Sequence, residues 1–208
     1  MRGATALCWV SLTLAVASAA NADDDRADVV EIRGFTVEYA KVGLDALQRM
    51  RPTLERQMEI VEQSGVPPAT LEFFKSVPVV IVPELATGFG HARVDESKRQ
   101  IVELKAASLP RDRPILLHEL LHAYHGVKLG PTPMIRDSYQ QAMKLPAYKR
   151  YAGAHFLENP REYFAVIGSI FLYGAKIDQP PFDCELPAKY QPQFIAFLTE
   201  QFGPHPCK

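Results

Sequence analysis

His118 and His122 stand four residues apart in the run Pro114-Ile115-Leu116-Leu117-His118-Glu119-Leu120-Leu121-His122. On a helix that spacing sets two imidazoles about 40° apart around the axis and about 6 Å along it. Both can reach one metal ion. Glu119 is turned by about 100° from His118, so it stands beside such an ion rather than on it. A carboxylate there can take a proton from a water held at the metal, the general-base role. Ile115, Leu116, Leu117, Leu120 and Leu121 surround the polar trio and predict a largely buried helix. Burial of two histidines and a glutamate without partners is costly. Zinc coordination would employ all three, whereas histidines that only packed would leave that cost standing.

A catalytic zinc takes three protein ligands and keeps a fourth position open. Position 128, six residues after His122, is Lys128, so the metzincin pattern with a third histidine is absent. His125 follows His122 by three residues, and a third ligand from the same two turns would crowd the ion. It reads instead as a packing residue or a hydrogen-bond partner of a ligand. The better candidate lies in Glu158-Asn159-Pro160-Arg161-Glu162-Tyr163-Phe164-Ala165. Asn159 can cap a helix, Pro160 fits its first turn, and Glu162 follows at the third helical position. An acid there also suits the helix dipole without any metal. Glu158 shares that reading and is the reserve ligand.

His-Glu-x-x-His followed about forty residues later by Asn-x-x-Glu-Tyr-Phe-Ala resembles the gluzincin metallopeptidases, particularly the catalytic domain of anthrax lethal factor and its relatives. The resemblance covers roughly residues 78–173, about half the chain, and its two motifs are the specific part. It implies a zincin-like fold, zinc held by His118, His122 and Glu162, and Glu119 activating the water. It also implies that a strand before the metal helix lines the cleft, either Ile101 to Leu104 or the Gly88 to Val94 segment. An extended peptide could add to that edge. The chain departs from the pattern twice. A second glutamate often follows the metal glutamate by four residues and supports a ligand; here that position is Val166. A tyrosine tends to precede the metal glutamate by seven residues and steadies the oxyanion; here that position is His155. A protonated imidazole can donate the same hydrogen bond, which makes His155 a candidate catalytic residue. Tyr148 and Tyr151 are nearby alternatives, and His155 can equally be an ordinary loop histidine.

These residues need elements to carry them. Val29 to Ala40 is rich in β-branched and aromatic residues and predicts a strand or two bent at Gly34. Apolar residues recur at helical spacing from Leu44 to Gln63, and Gly65 ends that helix. A short helix over 69–75 and a buried strand over 77–83 follow. Residues 88–94 and 99–104 predict a hairpin turning at 95–98. Helices are then expected over 114–126, 137–143, 160–173 and 187–202. Strands mostly before helices predict an α+β domain, with a small, mostly antiparallel sheet and a mainly helical half containing the metal-site helix.

The first 22 of the 208 residues read as a signal peptide rather than as a retained membrane anchor. Arg2 precedes an uncharged run from Ala4 to Ala20, and Ala20-Asn21-Ala22 offers small residues to a signal peptidase. Residues 23–208 are then expected to form a single domain, secreted or periplasmic, with no membrane attachment. Cleavage removes Arg2 alone among the charges, so 23 basic and 24 acidic residues become 22 and 24, a net charge of −2. That balance gives no general argument for nucleic-acid or anionic-membrane binding. A monomer is expected. Cys184 and Cys207 survive cleavage and predict a disulfide in an oxidising compartment.

The sequence thus predicts a secreted zinc metallopeptidase that hydrolyses peptide bonds of a peptide or protein substrate with a zinc-activated water. Glu119 is its general base, and His155 or a nearby tyrosine steadies the oxyanion. The alternatives are a zinc-containing but non-catalytic binding or toxin-related module, and an exported domain whose histidines only pack.

Overall fold

The strand-rich stretch at Val29 folds as a hairpin in the computed structural model, which describes residues 28–205. The expected leader and Cys207 lie outside the described residues. β1 (Val29–Ile32) and β2 (Phe35–Glu38) pair antiparallel, with Ile32 opposite Phe35. Arg33 and Gly34 between them both have positive φ, at 50° and 78°. This is the conformation whose twist suits a two-residue hairpin turn.

α1 (Leu44–Gln63) buries Leu47, Met50, Leu54, Met58 and Val61, the face predicted for it, while Leu44 at its start remains exposed. α2 (Pro68–Ser76) then leads into β3 (Val79–Val82). Because two helices intervene, β3 can return beside β2 in the parallel sense, with Val37 opposite Val79. β4 (Gly90–Val94) and β5 (Gln100–Lys105) form the predicted hairpin, and β5 lies parallel to β3 on its other side. The strand order is β1-β2-β3-β5-β4. The sheet is therefore mixed, with two antiparallel and two parallel pairings, rather than mostly antiparallel. The helical crossover between β2 and β3 accounts for one parallel pair, and the passage through edge strand β4 between β3 and β5 for the other. β3, parallel to both neighbours, has all four residues buried, as expected of an interior parallel strand. β4 is left on an edge.

The second half is helical. α3 (Ile115–Tyr124) continues as a single π-helical turn over His125–Leu129 that stops at Gly130. α4 (Pro133–Lys144) begins four residues earlier than predicted, with Pro133 in its first turn. α5 (Pro160–Tyr173) matches its expected bounds and ends at Gly174 in the left-handed conformation. The last predicted helix is two, α6 (Glu185–Tyr190) and α7 (Pro192–Phe202). Pro192 lacks an N–H and disfavours helical geometry in the preceding residue, so the chain bends at Gln191. Gln191 is buried there and ties the helices together. It accepts a hydrogen bond from Tyr163 Oη on α5, and its amide donates to the Ser138 carbonyl on α4 at 2.7 Å.

The architecture is α+β, a five-stranded sheet followed by a mainly helical half. One hydrophobic core runs from Ile32, Phe35 and Val37 through α1 and α3 to Phe164, Phe194 and Phe202. No helix among the described residues is long and apolar enough to cross a membrane.

Candidate metal centre

α3 begins without a capping side chain of its own, because Pro114 occupies that position. A residue from α1 does the work. Gln57 is wholly buried, and its carbonyl oxygen accepts the Leu116 N–H at 2.9 Å. Its amide nitrogen lies 2.7, 3.0 and 2.6 Å from the carbonyls of Pro110, Arg111 and Arg113. One side chain thus satisfies an orphan donor of α3 and fixes the loop leading into it. On the opposite side α5 crosses close to α3. A Cβ at Gly168 would stand 3.2 Å from Leu121 Cδ1.

Those constraints bring the predicted ligands together. His118 and His122 on α3 approach with Nε2 atoms 3.1 Å apart, and Glu162 Oε2 on α5 lies 3.3 and 3.1 Å from them. Asn159 Oδ1 accepts the N–H groups of Arg161 and Glu162 at 2.9 and 3.0 Å, fixing the first turn of α5. Three donors with edges of 3.1–3.3 Å suit a metal. A tetrahedral ion with ligands at about 2.1 Å has donors about 3.4 Å apart. Two ring nitrogens and a carboxylate oxygen this close, largely shielded from water, are the donor set that zinc takes. Burial alone would raise the Glu162 carboxyl. Hydrogen bonds with His118, His122 and His155 outweigh it and hold that carboxyl far below the ordinary range.

Glu119 sits beside the three donors and does not join the triangle formed with Glu162. It is 6% exposed, and Oε2 accepts the Ala92 N–H of β4 at 2.9 Å. The geometry of β4 explains why that amide is available. The Phe89 carbonyl takes the Lys105 N–H, and the Asp95 N–H reaches the Arg99 carbonyl. Odd-numbered residues therefore face β5, and Gly90, Ala92 and Val94 turn their backbone groups to the open edge. Gly90 is required by the same approach. A Cβ there would lie 2.6 Å from Glu119 Cγ. Burial, the largest influence, raises the Glu119 carboxyl above its ordinary value; Glu162 pushes the same way, and the Ala92 amide opposes it.

His155 lies on a short 3₁₀ turn, His155–Leu157, just ahead of α5. Its Nε2 is 2.8 Å from Glu162 Oε2, and its Nδ1 is 3.1 Å from Glu158 Oε1. Hydrogen bonding to Glu162, then to Glu158, raises the imidazole to about 9 against the effect of burial. Glu158 therefore meets His155 rather than the ligand triangle. The two tyrosines considered beside His155 are engaged in packing: Tyr148 is buried edge-on to Phe156, and Tyr151 stands between Phe156 and Phe182. His125 packs on Phe164, its ring 5.2 Å away. Val166 is buried, and the His122 Nδ1 atom is buried without a hydrogen-bond partner among the described residues.

A cleft of about 780 Å³ opens over these residues. Its walls are Gly88 to Ala92 on one side and the start of α5 on the other, with α3 as floor. Of the two strands expected to line it, β4 does so. Gln57 and Gly90, which fix the site, are not singled out by any motif in the sequence. Their only signal in the sequence was a glutamine on the apolar face of α1 and a glycine opening a strand.

No protein-family model matches the chain, and no curated protein matches it in sequence. Among solved structures, a Pro-Pro endopeptidase from Paenibacillus alvei superposes with a TM-score of 0.48 at 18% identity, over 80% of this chain and 96% of that one.

Proposed function

We propose that this chain is an exported zinc metallopeptidase, secreted or periplasmic, that hydrolyses peptide bonds in a peptide or protein. The observation that carries the reading is the convergence of His118, His122 and Glu162 on one point, with the Glu119 carboxylate buried beside it. Zinc, when bound, polarises a scissile carbonyl and lowers the pKa of water toward 7. The chain's own residues then have distinct tasks. Glu119, raised by burial and steadied by the Ala92 amide, accepts the proton of the attacking water and delivers it to the leaving nitrogen. His155, held at Nδ1 by Glu158, donates to the carbonyl oxygen as negative charge develops there. The open edge of β4 supplies backbone groups for an extended substrate.

One observation favours a second reading, a zinc-containing module without catalysis. Among the described residues, His122 Nδ1 lacks the partner that usually orients a ligating imidazole. Chelator-washed protein, reloaded with zinc and assayed on fluorescent casein, separates the two. The parent is expected to bind one zinc and cleave. Glu119→Gln is expected to keep the zinc and lose roughly a thousand-fold in cleavage rate. A Glu119→Gln variant as fast as the parent refutes the mechanism. Zinc binding with no cleavage by the parent selects the module.

A further inference from the structure

Glu162 Oε2 is ringed by three imidazoles, with the Nε2 atoms of His155, His122 and His118 at 2.8, 3.1 and 3.3 Å. His118, His155 and Glu162 offer donor atoms that all lie within 4.8 Å of one another, as do His118, Glu119 and His122. We propose that, before substrate enters, His155 completes the metal set as a fourth protein ligand, so that the resting site is closed by three imidazoles and one carboxylate. The inference rests on the zinc reading above and adds a resting state to it.

Three features support this assignment. Imidazole is among the commonest metal donors and suits zinc. A ligating histidine nearly always gives its other ring N–H to a carboxylate or carbonyl, which fixes the tautomer and turns the lone pair to the ion. Glu158 Oε1 stands 3.1 Å from His155 Nδ1 in that role, whereas the corresponding nitrogen of His122 has no partner among the described residues. The His155 side chain is also 44% exposed on a surface turn, so the ring can leave without disturbing the core. Zinc held by four protein ligands is the closed arrangement, and a catalytic site needs one position free. A substrate carbonyl would therefore displace His155, and the released ring, still held at Nδ1 by Glu158, would take up a proton from solvent at Nε2 and so become a donor to that carbonyl oxygen.

The test measures metal affinity directly. The full chain is washed with chelator and titrated with zinc against a chromophoric chelator, then with cobalt to record its visible absorption. His155→Ala is expected to weaken zinc binding by roughly a hundred-fold and to change the cobalt spectrum, and Glu158→Ala to weaken zinc binding by roughly ten-fold. His155→Gln, close in size and polarity, is expected to lose as much affinity as His155→Ala and guards against a folding defect. If either His155 variant binds zinc within two-fold of the parent and leaves the cobalt spectrum unchanged, His155 is no ligand, and the three-ligand metallopeptidase reading stands without it. If the parent itself takes up no zinc, that broader reading fails.

Discussion

His118, Glu119 and His122 ride on a helix enclosed by the core, whereas His155 and Glu158 come from a turn that faces solvent. Glu119 and His122 are each 6% exposed, while the side chains of His155 and Glu158 are 44% and 54% exposed. α3 is fixed at its start by Gln57 and on its flank by Gly168 and Leu121. The His155 turn is fixed by its own short hydrogen bonds, by Phe156 and Leu157 beneath it, and by Tyr139 Oη of α4, which donates to the Leu157 carbonyl at 3.1 Å. Glu162 lies between these regimes, on a buried helix but in its capped first turn. The difference teaches a division of labour. On the proposed zinc reading, the residues that would hold the cation and the proton acceptor in fixed relation are built into the interior, and the group that would yield to a substrate is built onto the surface.

Mutation of the supports on each side can break or sharpen that contrast. The largest effect is expected from Gln57→Leu. It strips the Leu116 amide and the Pro110 and Arg111 carbonyls of their side-chain partner at the head of α3, while the Arg113 carbonyl keeps the Ile115 N–H, and should lower stability by about 3 kcal/mol in denaturant unfolding. Zinc affinity should fall with it. Gly90→Ala should act more narrowly. Its Cβ must displace Glu119, so cleavage should fall about a hundred-fold, a loss of about 2.7 kcal/mol in transition-state stabilisation. Its unfolding midpoint should change far less than that of Gln57→Leu. The smallest effect is expected from Asn159→Ala, which removes the α5 cap at about 1 kcal/mol and loosens Glu162, with a several-fold loss of zinc affinity in titration. A Gln57→Leu variant no less stable than Asn159→Ala would erase the proposed distinction between a rigid and a yielding side.

The same distinction governs what could be read in advance. His118, Glu119, His122 and the Asn159–Glu162 start of α5 were legible because each motif is local, confined to one or two helical turns. The spacing of α1 and the β4–β5 hairpin were legible for the same reason. The parallel placement of β3 was not, since it depends on how α1 and α2 return the chain to the sheet. The break at Gln191 has a local cause in Pro192, which stands inside the span predicted as one helix. Gln57 and Gly90 were illegible because their partners lie 59 and 29 residues away, in contacts that no periodicity encodes. Glu158 illustrates a different limit. Its sequence position allowed a ligand role, and only the orientation of His155 assigns it elsewhere.

The amide of Ala92 carries one more implication. An extended chain laid along the outer rim of β4 would meet a missing rung, because that N–H is already committed to Glu119. Pairing can proceed on either side of the gap but not across it. On the proposed reading, Glu119 would thereby act as a ruler, marking which link of a docked chain lies over it before any side chain of that chain has been recognised.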